Sequence, residues 1–301
     1  MISHMNNDLQ RCKVGTFLLA SILLVGCTQE PTKTDAPSPT TATTPAAKES
    51  DAARGATLSV GVVPQQAASV LAKQWTPLLN HIGEKAGVRL VFKTAKDIPA
   101  FERCCANGEY DIAYMNPYHY TVYHETPGYE AIAKRSGSKI KGILVKKRGS
   151  PLKALQDLAG ADLAFPAPRA FAATLLTTAG LDAAEVSFQS HYVSSHDSVY
   201  LNVAKGRFAA GGGIMRTLKS VDQDVRDQLE ILWQTPEYTP HAFAVHPRVD
   251  AKSRGAVADA MVALGSYEEG RELLNPLRIK LLEAASNQDW DDVRALNIEI
   301  R

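Results

Sequence analysis

Leu58-Ser59-Val60-Gly61-Val62-Val63 is a short, nearly continuous apolar run that stops at Pro64. A β-branched run of this length, closed by proline, predicts a buried strand. Residues 67–86 then place Val70, Leu71, Trp75, Leu78, Leu79 and Ile82 at helical spacing, and Gly87 ends the helix. Val88 to Phe92 predicts the next strand, 98–106 a helix, Tyr110 to Tyr114 a strand, and a further helix begins at about Pro117. Strands alternating with helices imply an α/β fold, with parallel sheets covered on both faces. In such sheets ligands sit beyond the carboxyl ends of the strands, near helix N-termini.

The alternation resumes further along. Asp162 to Phe165, Val186 to Gln189, Phe208 to Ala210 and Leu229 to Trp233 predict short strands, with helices over 170–179 and 195–205. Two segments, Lys139 to Lys147 and His241 to His246, read as lone strands beside helix-poor stretches. They bracket a block that reads as one domain inserted into another. The expected division is a discontinuous lobe of residues 57–143 and 244–301, an inserted lobe of residues 144–243, and a ligand cleft between them.

Upstream the composition changes. Arg11 and Lys13 precede an apolar run from Val14 to Val25, which ends in Leu24-Val25-Gly26-Cys27. A basic start, a short apolar core and a small-residue cleavage site mark an export signal. The run falls well short of the roughly 20 residues of a spanning helix. The ending resembles the bacterial lipobox, which implies that residues 1–27 are the signal, that Cys27 carries the lipid, and that the protein faces the periplasmic side of the envelope from either membrane. Residues 28–56 contain Pro31, Pro37, Pro39 and Pro45 among Thr, Ala, Ser and charges, without apolar periodicity, and predict a tether.

A formal net charge of +1 lacks the basic footprint that nucleic-acid binding needs. No nucleophile elbow, Walker-type phosphate loop or His-Glu-x-x-His can be found, so no catalytic set emerges and no cofactor is expected. Gly211-Gly212-Gly213 reads as a close-packed strand end or, less simply, as part of the cleft lining. Of the four cysteines, Cys104 and Cys105 remain once Cys12 and Cys27 are set aside. Adjacent cysteines make a strained ring, so they read as small helix residues. Eight histidines with Met115, Cys104 and Cys105 allow a metal carrier as a distant alternative, although His119 and His124 are spaced poorly for one helix face.

An ordered set of segments resembles the periplasmic binding proteins of phosphate, phosphite and phosphonate ABC importers. It comprises Gly61-Val62-Val63-Pro64, Gln74-Trp75-Thr76-Pro77-Leu78-Leu79, the run Gly108-Glu109-Tyr110-Asp111-Ile112-Ala113-Tyr114-Met115-Asn116-Pro117, Asp157-Leu158-Ala159-Gly160, His196-Asp197 with Val203-Ala204-Lys205-Gly206, and Leu232-Trp233-Gln234-Thr235-Pro236 with Val245-His246-Pro247. The resemblance implies a two-lobed type II binding protein with two mixed, mainly parallel sheets. It would act as a monomer, close over a small molecule, and deliver it to a permease and its ATPase. A sensor lipoprotein signalling to a membrane partner is the alternative.

The resemblance also locates the anion at the first long helix of the inserted lobe, where free amides and the helix dipole favour negative charge. The family has Ser-Thr-Ser-Gly after a proline there. This chain has Pro168-Arg169-Ala170-Phe171-Ala172-Ala173, with Thr174 one turn on. Arg169, Ala170, Phe171 and Ala172 are the implied ligand residues, fewer hydroxyl donors and a more apolar site the implied consequence. The family's aminophosphonate binders place an acid where this chain has Phe208-Ala209-Ala210. The remaining candidates come from strand ends and helix starts: Gln65 after the first strand, Tyr114, Met115, Asn116 and Tyr118 at the next junction, and His196 at the start of a helix. Gln66 is a further option, Tyr238 and His241 read as cleft or hinge residues, and Trp75 as core.

Overall fold

A computed structural model describes residues 55–298. The signal, Cys27 and the tether as far as Arg54 lie outside the described residues. Eleven strands form two sheets among the described residues. The first sheet contains β1 (Thr57–Val62), β2 (Arg89–Lys93), β3 (Ile112–Met115), β4 (Glu130–Arg135), β10 (Ala242–Val245) and β11 (Leu282–Ala284), in the order β11-β4-β10-β3-β1-β2. The second contains β5 (Gly142–Lys147), β6 (Ala161–Phe165), β7 (Phe188–Tyr192), β8 (Ala210–Ile214) and β9 (Leu229–Gln234), in the order β7-β6-β8-β5-β9.

Each sheet is parallel at one end and antiparallel at the other. β2-β1-β3 and β7-β6-β8 are parallel, as the alternation of strand and helix requires. β10 runs against β3 and β4, and β5 runs against β8 and β9. The chain enters the second sheet at β5 and re-enters the first at β10, and the two crossing segments pair with each other. Ile140 and Tyr238 exchange backbone hydrogen bonds of 2.8 Å in both directions. The expected lone strands are therefore shorter than their apolar runs, because Ile140 and His241 belong to the crossing.

The helices follow from their apolar faces. α1 (Ala68–Ala86) buries Leu71, Trp75, Leu78, Leu79 and Ile82, and Gly87 closes it at φ 68°. α2 (Ile98–Ala106) is capped by Asp97, whose carboxylate accepts from Ala100 N–H. α3 (Pro117–Glu125) is capped by Asn116 in the same way. Residues 171–183 are helical throughout, opening with a π turn over Phe171–Leu175 and continuing as α4 (Leu176–Ala183). α5 (His196–Ala204), α6 (Met215–Ser220) and α7 (Gln223–Arg226) complete the half built on the second sheet. α8 (Ala251–Ala263), α9 (Glu268–Leu274) and α10 (Asp291–Arg294) return to the first.

Three strands start two residues later than the sequence predicts. β8 begins at Ala210, not Phe208, β7 at Phe188, not Val186, and β3 at Ile112, not Tyr110. β8 is almost free of side-chain bulk, since it consists of Ala210, Gly211, Gly212, Gly213 and Ile214, so periodicity has nothing to register there. Close approach explains the glycines. A Cβ at Gly212 would lie 1.8 Å from the carbonyl of Ala173, and one at Gly142 would lie 2.0 Å from that of Ala172. The opening turn of 171–183 rests its backbone directly on β5 and β8.

Gly212→Ala is therefore expected to destabilise the protein by about 1–3 kcal/mol, because backbone has to move. Gly255 in α8 is exposed, with nothing within 4 Å of an added Cβ. Gly255→Ala should stabilise by about 0.5–1 kcal/mol through chain entropy alone. Urea melts of the two variants should move in opposite directions.

Candidate functional site

Between the two halves lies a small, narrow cavity. The first half contributes Val63, Gln65, Ile98, Asn116 and His241, the crossing contributes Ile140, and the second contributes Ala170, Phe171, Ala172, Ala173, His196 and Ile214. Six of the ten residues expected from sequence meet here: Gln65, Asn116, Ala170, Phe171, Ala172 and His196. The other four surround it. Tyr114 and Met115 are buried in β3, and the Tyr114 ring stacks on His241 at 5.1 Å and meets Trp75 at a tilt, 4.7 Å away. Tyr118 is half-buried on α3, where burial raises its phenol and nearby Arg169 partly offsets that. The Arg169 side chain is 42 % exposed and faces Glu102 at 3.9 Å.

Each lining group is placed by local chemistry. Asn116 ends β3 and caps α3, so its side chain is fixed at the junction. Its Oδ1 accepts from His119 N–H at 2.7 Å, and its Nδ2 donates to the carbonyl of Arg169 at 3.0 Å, across the halves. The opening turn at 171–173 presents the first amides of a helix, which have no partner within it. Thr174 does not reach the ligand region with its hydroxyl, which donates back to Ala167 O at 2.8 Å. Phe171 packs edge-on against Tyr238 of the crossing at 5.9 Å.

Gln65 links the halves through both backbone and side chain. Its carbonyl accepts from His196 N–H at 3.1 Å, its Nε2 meets His241 Nε2 at 3.1 Å, and its Oε1 accepts from Arg216 Nη2. Arg216 is the cation that sequence reasoning missed. It follows β8 at the strand-to-helix junction, the same kind of position that singled out Asn116 after β3, and that positional signal was available.

His196 is held by Thr217, whose hydroxyl lies 3.2 Å from Nδ1 and 2.7 Å from Tyr200 OH. The Thr217 hydroxyl also donates to Ile214 O at 3.1 Å. Burial pushes the His196 pKa down to about 3, and Arg216 pushes the same way. His241 is lowered well below its usual value by burial, then by Arg216 and Arg135. Asp197, beside His196, moves oppositely: burial raises it to about 6 despite a hydrogen bond from Ala67 N–H. The cavity therefore offers helix amides, neutral imidazoles and two amide side chains, with the Arg216 guanidinium bonded to Gln65 from beside it. These are predominantly donors, suited to an oxyanion.

Elsewhere Cys104 and Cys105 are free thiols raised by burial, Cys105 fully buried in α2. No group of three or more His, Cys, Asp or Glu among the described residues could hold a metal ion. His119 bonds Glu102 and His124 bonds Tyr129 O. No helix of the described residues is long and apolar enough to cross a membrane.

Two α/β lobes joined by two crossing segments, with a donor-rich cavity between them, define a type II solute-binding protein. Residues 60–290 match the family described as ABC transporter, phosphonate, periplasmic substrate-binding protein, and the chain belongs to that family. It is 23 % identical over 250 residues to the phosphate-import protein PhnD of Mycolicibacterium smegmatis, covering 71 % of this chain and 75 % of that protein. The fold is shared with a binding protein component of an ABC phosphonate transporter from Pseudomonas aeruginosa, at TM-score 0.74 and 15 % identity over 80 % of this chain and 85 % of the other. It is also shared with PhnD1 from Prochlorococcus marinus in complex with methylphosphonate, at TM-score 0.73 and 18 % identity over 80 % and 98 %. The protein is thus a substrate-binding component of an ABC transporter, and its partners are a small molecule and the permease with its ATPase.

The buried groups at the junction predict a pH dependence. His196, depressed in the fold, contributes stability that is full above about pH 6.5 and is lost as pH falls towards 3. Asp197, raised in the fold, contributes stability that is full below about pH 3.8 and is lost as pH rises through 6. His196→Gln should flatten the fall of unfolding temperature between pH 6.5 and 4.5, and Asp197→Asn should steepen it.

Proposed function

We propose that this chain captures a phosphonate-, phosphite- or phosphate-like oxyanion at the junction of 170–173, His196, Gln65 and Asn116. Held to the membrane through a lipid on Cys27, it then delivers the anion to its permease on the periplasmic side. The observation that carries the ligand reading is the opening turn of 171–183. Its free amides are pinned by Gly142 and Gly212 at the cavity wall, where a helix N-terminus favours an anion.

The residues depart from a hydroxyl-rich anion site, and the chemistry departs with them. Ala170, Phe171 and Ala172 offer backbone donors only. Arg216 supplies charge from beside the cavity, through its bond to Gln65, and a guanidinium hydrogen bond to an anion contributes more than a neutral hydroxyl would. This favours ligands without a positive group, because an amine would enter a site with Arg216 beside it and no carboxylate among its lining residues. Arg169 and Tyr118 stand at the rim, where Arg169 acts with Glu102 on the approach of the ligand. Tyr114 and Met115 support His241 and β3 from beneath.

Calorimetric titration with methylphosphonate, phosphite, phosphate and 2-aminoethylphosphonate tests the reading. At least one of the first three should bind, with the amine-bearing ligand weaker. Arg216→Gln should weaken binding by about tenfold or more. Absence of heat and of thermal stabilisation with all four would sink the oxyanion reading.

The anchor has its own test. With Cys27→Ser the protein should leave the membrane fraction and lose incorporation of a labelled fatty acid. Unchanged membrane retention of that variant would exclude Cys27 as the attachment point.

A further inference from the structure

Beside the cavity, past Ile140, Ile214 and His241, opens a larger recess of about 290 Å³. Six cations line it: Arg135 from β4, Lys139 and Lys141 from the crossing, Arg216 and Lys219 from α6, and Arg278 after α9. Lys139 is paired with Asp292 at 3.4 Å and Lys141 with Glu237 at 2.9 Å. Among the described residues the ion pairs leave Arg135, Arg216, Lys219 and Arg278 without a carboxylate. Their hydrogen bonds go to neutral acceptors instead. Arg135 donates to Arg278 O at 2.8 Å, Arg278 to Lys219 O at 2.6 Å and Ser220 Oγ at 3.2 Å, and Arg216 to Gln65.

Four uncompensated cations converging on one concave wall repel one another, and an anion between them would relieve the repulsion. Arg135 is pressed hardest, its guanidinium lowered by burial and by Arg216. The recess adjoins the oxyanion cavity: Ile140, Ile214 and His241 line both, and Arg216 belongs to the recess while bonding Gln65 of the cavity. Guanidinium groups suit planar or tetrahedral oxyanions, and Ile140, Ile214, Met215 and Pro240 offer apolar surface beside them for a short linking chain.

We propose that this recess is a second anion subsite. It takes the distal anionic group, a carboxylate or a second phosphoryl, of an organophosphorus ligand whose first oxyanion sits at 170–173. The inference rests on the oxyanion reading above and narrows its ligand class to doubly anionic molecules. Arg216 stands between the two groups, Arg135 and Lys219 hold the outer one, and Arg278 ties the recess shut by bonding α6 from the opposite lobe.

The test is calorimetric titration of the full chain in detergent with a matched series: methylphosphonate, phosphonoacetate, 3-phosphonopropionate and 2-aminoethylphosphonate, at two salt concentrations. At least one carboxylated member should bind about tenfold tighter than methylphosphonate, and the advantage should shrink at higher salt. Lys219→Gln and Arg135→Gln should remove most of that advantage and leave methylphosphonate within about twofold. Lys252→Gln, a remote loss of one charge, should change neither. Lys219 is exposed, so its variant reads the subsite even where Arg135→Gln disturbs the fold. Equal affinities across the series, or an advantage that survives Lys219→Gln and Arg135→Gln, overturns the subsite while methylphosphonate binding leaves the oxyanion reading intact. No binding by any member overturns the subsite, and the phosphite and phosphate titrations above then decide the oxyanion reading.

Discussion

The opening turn of 171–183 lies on two glycines, Gly142 in β5 and Gly212 in β8, and this contact sets the position of everything that faces the cavity. With side chains at either glycine, the turn would stand off the sheet, and the amides of Phe171 to Ala173 would leave the wall they occupy. The same contact draws Ala170 to Ala173, Leu176 and Ile214 into the apolar cluster of the first sheet, so the binding turn is packed from both lobes. A helix start that is backbone-seated can hold its donors in place without the hydroxyl side chains that would ordinarily supply them.

Around that seat the polar groups are arranged by donor type. His196 and His241 are kept neutral by burial and by the field of Arg216. Cationic charge is concentrated on one side, in Arg216 and the recess beyond it, while Glu102 meets Arg169 at the other edge. The electrostatic gradient therefore runs across the lobe junction, and an anion is drawn towards the crossing segments paired at Ile140 and Tyr238.

Much of this was legible in the sequence. The apolar run at Leu58 to Val63, the periodic helix after it and Asn116 at a strand end gave both the lobe's core and one wall of the site. What was not legible had physical causes. β8 carries almost no side chains, so its register, and with it Arg216, could not be fixed from periodicity. β4 and β11 were not foreseen, because Glu130–Arg135 mixes charges with alanine and Leu282–Ala284 spans only three residues. Arg169 was expected to face the ligand on the strength of its neighbours in sequence, but its side chain turns to Glu102 while its carbonyl takes the bond from Asn116. Tyr114 and Met115 were placed at the right junction, one step too deep in the strand.

Gln65 holds His196, His241 and Arg216 with three different atoms, two of the three partners belonging to the opposite lobe. Parting the lobes has to break the bonds to His196 and Arg216, and both are carried by this one residue. The polar cost of opening is therefore concentrated at a single side chain and its carbonyl, where water has to take over the partners that leave.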